Sequence, residues 1–211
     1  MKSFFSMFAK SAKELTKIRT LTITGIFIAV SMVLEMYSID LPYAKINFAF
    51  LAIAVIGMLF GPTVGFMAGL ICDVVGFMVH PTGGFLPIYT LVAGVQGLIY
   101  GICLYIKNDS HSIIVRFKYS SREIDITLFL RALLARFLDV IIINLVINTT
   151  LNLHYNFIHE DSLSAALVAR IAKNVIELVA DIPLLFILLP AALAAYKRMG
   201  GTHSKEIQAG A

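Results

Sequence analysis

Between Lys45 and Tyr105 the chain carries a single charged side chain, Asp73. Two hydrophobic segments, Ile46–Phe60 and Thr63–Val79, lead to a Pro-Thr-Gly-Gly turn at Pro81–Gly84 and a third segment, Phe85–Ile106. So little polar punctuation suits a bilayer, where each backbone N–H and C=O is satisfied inside a helix and turns are confined to the interfaces. With 59% of 211 residues hydrophobic, 14% charged and a mean hydropathy of +0.86, the chain falls outside the range of ordinary soluble domains. At roughly 20 residues per span it has room for about six crossings and no separate soluble domain. The expected fold is all-α and integral to the membrane, with six transmembrane helices.

The expected spans are Leu21–Ile39, Ile46–Phe60, Thr63–Val79, Phe85–Ile106, Ile126–Leu151 and Ala165–Tyr196. An outer turn lies at Asp40–Lys45, an inner turn at Gly61–Pro62, a polar linker at Lys107–Asp125 and an outer loop at Asn152–Ser164. Residues 1–20 form a basic arm, 21–196 the membrane domain and 197–211 a polar tail. Most Lys and Arg fall in the arm, the linker and the tail, whereas the alternate connections hold only Lys45. By the positive-inside rule both termini are cytoplasmic. The net charge of +4 follows from this asymmetry and gives no reason to expect a nucleic-acid partner. In the arm, Lys2, Lys10, Lys13, Lys17 and Arg19 surround Phe4, Phe5, Met7, Phe8 and Leu15, the pattern of a basic amphipathic helix at the membrane surface. A signal peptide fits less well, because no small-x-small cleavage site follows the first span.

Ionisable groups inside spans cost several kcal/mol unless paired, hydrated or used. In the sixth span Arg170, Lys173, Glu177 and Asp181 form one stripe, and Lys173 and Glu177, four apart, suit an ion pair along the helix. An internal neutralising network and a functional site are both open for Glu177 and Asp181. Arg170 and Lys173 lie in the outer third of that span, at the depth of Asn144, Asn148 and Asn152 on the fifth. With Lys45 and Tyr89 they would make a cationic, amide-rich cluster fit for an anionic small molecule. Arg131 and Arg136 are expected to reach the inner headgroups, or Arg136 to pair with Asp139. Glu35 and Asp73 lie near outer span ends, where either hydration or a partner would serve.

No Gly-x-x-x-x-Gly-Lys-Ser/Thr loop, His-Glu-x-x-His helix or Gly-x-Ser-x-Gly elbow occurs, so neither nucleotide hydrolysis nor zinc or serine catalysis is expected of this chain. Cys72 and Cys103 sit in apolar segments as packing residues, and the five histidines are scattered without metal-ligand spacing. Catalytic residues, metals and cofactors are expected to be absent. If ATP drives transport, another subunit must bind it.

The run Ile46–Pro62 (Ile-Asn-Phe-Ala-Phe-Leu-Ala-Ile-Ala-Val-Ile-Gly-Met-Leu-Phe-Gly-Pro), Asp73, Pro81-Thr-Gly-Gly-Phe-Leu-Pro-Ile-Tyr-Thr-Leu91 and Gly97-Leu-Ile-Tyr-Gly101 resembles the folate-type S components of energy-coupling-factor (ECF) vitamin transporters. Asn148-Thr149 and Ala169-Arg-Ile-Ala-Lys-Asn174 are similar to the family's later motifs. The resemblance implies a six-helix membrane protein that binds a B vitamin outside the cell and is not an enzyme. It also implies docking on a membrane coupling subunit joined to two ATPases, with toppling to release the vitamin inward. The family's small-x-x-x-small docking face maps onto Gly25 and Ala29. The vitamin site is expected at Arg170, Lys173, Asn144, Asn148, Tyr89, Lys45 and Phe85, and the resemblance implies that the outer loops between spans one and two and between spans three and four close it. Where the family commonly has Phe-Pro-Gly-Phe, this chain has Leu86-Pro-Ile-Tyr89, and it lacks tryptophan. Both folate and the smaller pantothenate are therefore open. The alternative is a self-sufficient secondary transporter relaying ions or protons through Asp73, Glu177 and Asp181; a scaffold or membrane enzyme is a further class.

Overall fold

The computed structural model describes residues 2–36, 39–41, 44–46, 48–79, 81, 84–105, 114–116, 123–155 and 163–199. Helix α1 (Lys2–Glu14) precedes α2 (Ile18–Met36), and a short antiparallel hairpin, β1 (Ile39–Leu41) with β2 (Ala44–Ile46), leads into α3 (Phe50–Phe60). Helices α4 (Pro62–Val79) and α5 (Pro87–Leu104) follow. A second hairpin, β3 (Ile114–Arg116) with β4 (Glu123–Asp125), leads to α6 (Ile126–Leu138). That helix continues through a π-helical stretch, Asp139–Ile147, into α7 (Asn148–His154), and α8 (Leu163–Arg198) closes the chain.

The expected all-α fold is helical apart from the two small hairpins. The first of these occupies the Asp40–Lys45 turn and shortens the second expected span, Ile46–Phe60, to a helix that begins only at Phe50. Among the described residues four helices are long and apolar enough to cross a bilayer: α2, α4, α5 and, from Leu167, α8. At 11 residues α3 is about 16 Å long, well short of a bilayer core. Every residue of α3 is buried, because a helix apolar on all sides serves best at the centre of the bundle.

Around that centre, α4 and α5 approach to backbone contact. A Cβ on Gly65 would lie 2.5 Å from the Gly97 carbonyl oxygen, and α3 comes nearly as close to α5, where one on Gly57 would lie 2.8 Å from the Gly101 nitrogen. Such stripes of small residues bring helices together where lipid supplies no hydrophobic drive. The α3–α4 turn uses Gly61 at φ +90°, a conformation that glycine adopts without Cβ strain, with Pro62 opening α4. Helix α1 locks onto this turn. Ser11, fully buried, donates to the Phe60 carbonyl at 2.8 Å and accepts from the Thr63 and Val64 amides at 3.0 and 3.2 Å. It thereby caps α4 from a distant part of the sequence.

The long helix α8 buries only a narrow stripe: Asn174, Glu177, Asp181, Leu185, Leu189 and Tyr196. Its other faces expose Val168, Ile171, Val175, Val179 and Ile187, as suits contact with acyl chains. Near its end Arg19 of α2 lies 5.2 Å from the Tyr196 ring and donates to the Met199 carbonyl. The tail beyond Met199, like most of the 107–125 linker, lies outside the described residues.

Candidate functional site

A cavity of about 480 Å³ lies at the end of the bundle where α2 and α4 finish and α5 begins, a size typical of small-molecule sites. Its outer part is aromatic. Phe77 at the end of α4 and Phe85 before α5 meet with ring centroids 5.1 Å apart, and Leu86 and Tyr89 continue that wall. The Tyr89 hydroxyl donates to Asn152 Oδ1, tying the start of α5 to α7. Glu35 of α2 and Asp73 of α4 both line the cavity. A Cβ on Gly76 would fall 2.8 Å from Glu35 Oε2, so a side chain there would push the carboxylate aside. Asp73 accepts from Thr90 Oγ1 at 2.6 Å. Among the described residues no cation forms an ion pair with either carboxylate.

Deeper in, Phe50, Ile53, Gln96, Arg136 and Glu177 form the floor, with Gln96 roughly 14 Å along α5 from Pro87. Arg136 is 3% exposed and joins three helices. Its guanidinium pairs with Asp139 and with Asp181, approaches Glu177 at 3.7 Å and lies 4.5 Å from the centre of the Phe50 ring. Lys173, also lining the cavity, pairs with Glu177 at 3.3 Å. The cavity is lined by three carboxylates, Glu35, Asp73 and Glu177, and two cations, Arg136 and Lys173; Asp139 and Asp181 pair with Arg136 behind the floor, Glu177 pairs with Lys173, and Glu35 and Asp73 are left without a cation among the described residues. Such a lining prefers a guest that brings hydrogen-bond donors over one that buries another anion. Among the described residues no group of His, Cys, Asp or Glu is arranged to hold a metal ion.

Of the residues singled out from the sequence, Tyr89, Phe85, Asn144 and Lys173 come together around this cavity. Arg170 does not line it. Its guanidinium lies 3.4 Å from the Asn144 carbonyl and 3.3 Å from Thr149 Oγ1, fastening α8 to the π-helical stretch. Asn148 is also absent from the lining. The π-helical stretch accounts for this: the Asn148 amide bonds back to the Ile143 carbonyl, five residues away, so four-residue steps no longer complete a turn. Lys45 falls in β2, and its side chain lies outside the described residues. Gly25 and Ala29 are on α2, where a Cβ on Gly25 would meet nothing within 4 Å. Arg136 is too buried for the expected snorkelling, whereas its pairing with Asp139 is present. The Lys173–Glu177 pair is likewise present, and Asp181 joins the same network through Arg136. Gln96 went unremarked in the sequence, where an uncharged amide in an apolar run gives only a weak signal.

The family model for the substrate-specific component of ECF transporters matches residues 19–189. The chain belongs to this family. Members of this family are membrane components of transporters and not enzymes, and this chain is a membrane protein of that kind. Two folate transporters called FolT are similar over shorter stretches. One from Clostridium novyi (strain NT) is 41% identical over 73 residues, 35% of this chain and 42% of that relative. One from Leuconostoc mesenteroides is 28% identical over 94 residues, 44% of this chain and 50% of that relative. The chain thus spans half or less of the length of these curated relatives. A crystal structure of FolT bound with folic acid superposes with a TM-score of 0.66 at 25% identity, over 82% of this chain and 94% of that one.

Proposed function

We propose that this chain is the vitamin-capturing S component of an ECF importer, that its vitamin is folate, and that folate occupies the cavity between α2, α4, α5 and α8. The observation that carries the reading is the lining of that cavity. Folate brings a flat pterin with adjacent ring and amino N–H donors, and the cavity supplies carboxylate acceptors at Glu35 and Asp73 beside the Phe77 and Phe85 rings. Pantothenate has no such ring to lie against Phe77 and Phe85 or to offer paired donors to the two carboxylates. The names of the two FolT relatives and of the structural neighbour point the same way.

In this reading six spans cross the membrane, α3 with its flanking residues and the α6–α7 rod counting as the second and fifth, and both termini are cytoplasmic. The cavity then faces outward. Tyr89, Phe85, Asn144 and Lys173 contact the vitamin directly, Lys45 and Asn148 lie at its approaches, and Arg170 holds the wall behind it. Gly25 and Ala29 offer α2 to a membrane coupling subunit, which two ATPases drive. No cofactor is held by this chain itself. The test is titration calorimetry of the purified protein with folate, pantothenate and buffer alone, with mass spectrometry of any molecule retained from a vitamin-rich medium. Folate binding weakened at least ten-fold by Asp73→Asn is expected; a preference for pantothenate would overturn the choice of vitamin. Uptake that survives loss of the ATPases but collapses with a proton ionophore would favour a secondary transporter instead.

A further inference from the structure

Helix α1 presents three different faces. At 100° per residue, Met7, Ser11 and Glu14 share one side, and all three are buried against the bundle. Phe5, Ala9 and Ala12 occupy a second side and are exposed, Phe5 at 71% with Phe4 beside it at 49%. Lys10 and Lys13 form a third, also exposed, and Lys17 extends the charge past the helix end. The one acid in the segment, Glu14, is buried, accepting from Thr20 Oγ1 at 3.2 Å and pairing with Lys17 at 2.9 Å. The outer surface of α1 is therefore apolar along one edge and purely cationic along the next.

The height of α1 in the bundle is fixed independently of its composition. Its Ser11 bonds hold it at the α3–α4 turn, and α2 begins three residues after it ends, with Ile18 at 82% and Leu21 at 52% exposure opening a lipid-facing surface. The Arg19 contact with Tyr196 and Met199 puts the end of α8 at the same level. Span ends mark the boundary between acyl chains and headgroups. We propose that α1 lies in this boundary as a fixed lipid-binding surface, with Phe4 and Phe5 among the upper acyl chains and Lys10 and Lys13 against the phosphates of anionic lipids. Charge complementarity selects the occupant: exposed lysines with no exposed acid beside them attract anionic headgroups, by about five-fold in local affinity per lysine. Because Ser11 and Glu14 bind α1 to the bundle, the lipid shell at this end moves with the protein. The inference rests on membrane residence alone and not on the identity of the vitamin.

The chain has no tryptophan, so Phe5→Trp introduces a single reporter at an exposed position. The full-length variant is reconstituted into nanodiscs of mixed phosphatidylcholine and phosphatidylglycerol, with one lipid or the other brominated at equal mole fraction. The expected result is a blue-shifted emission, protected from iodide and quenched several-fold more strongly by brominated phosphatidylglycerol. Adding Lys10→Gln and Lys13→Gln should erase that preference while the emission stays blue-shifted. Emission quenched by iodide and indifferent to brominated lipid overturns the proposal. Equal quenching by the two brominated lipids, or a preference that survives loss of both lysines, overturns the assignment to anionic lipid.

Discussion

Replacing Arg136 by methionine removes the one cation that meets Asp139 and Asp181, neither more than 1% exposed. Lys173 remains to serve Glu177, so the damage concentrates on the other two. Asp139 Oδ1 and Asp181 Oδ1 already lack hydrogen-bond partners among the described residues, so little is left to absorb the loss. Deleting one member of a buried ion pair costs about 3–5 kcal/mol, a third or more of a typical folding free energy. The cost comes from stranding the carboxylates, since an apolar replacement of a whole buried pair is often neutral. Arg136→Met combined with Asp139→Asn and Asp181→Asn should therefore regain most of the lost stability. Thermal unfolding in detergent can be followed with a thiol-reactive dye on Cys72 and Cys103, both free, the first buried and the second partly so. The reasoning fails if Arg136→Met melts with the wild type, or if the triple variant melts no higher than the single one.

Gly97→Ala should abolish most of the folded yield, because even a methyl group meets the Gly65 carbonyl, whereas Gly25→Ala should leave it unchanged; size-exclusion profiles separate the two. Ser11→Ala removes a buried cap from α4 and should cost about 1–2 kcal/mol, read as a lower melting temperature with vitamin affinity unaltered. For orientation, a cysteine at Ser110 should resist a membrane-impermeant thiol reagent in whole cells and one at Asn156 should react; the reverse pattern would invert the proposed topology.

Hydropathy located the long helices closely: Thr63–Val79 became Pro62–Val79, and the basic amphipathic arm became α1. It could not show that α3 begins only at Phe50, because Ile46, the last residue of β2, is as apolar in a strand as in a helix. Nor did it show the π-helical stretch, since Val, Ile and Leu side chains do not report which carbonyl an amide chooses. Asn144, Asn148 and Asn152 therefore looked like one face and are not. For Arg136 the sequence offers a neighbour three residues away, but its bond to Asp181 depends on how α6 and α8 pack. Arg170 illustrates the opposite case: its charge suggested a ligand, yet the guanidinium faces a carbonyl and a hydroxyl of the adjoining helix.

The glycine contact between α4 and α5 has a mechanical consequence for the cavity they border. On that side backbone rests on backbone, and no rotamer change can widen the gap. Opposite, α6 and α8 are joined through the long side chain of Arg136, whose torsions can lengthen or shorten its reach to Asp181 and Glu177. A guest slightly too large would therefore be met by displacement of α8, whose remaining described faces expose apolar side chains, and occupancy would be read in the tilt of that helix against the fixed α4–α5 pair.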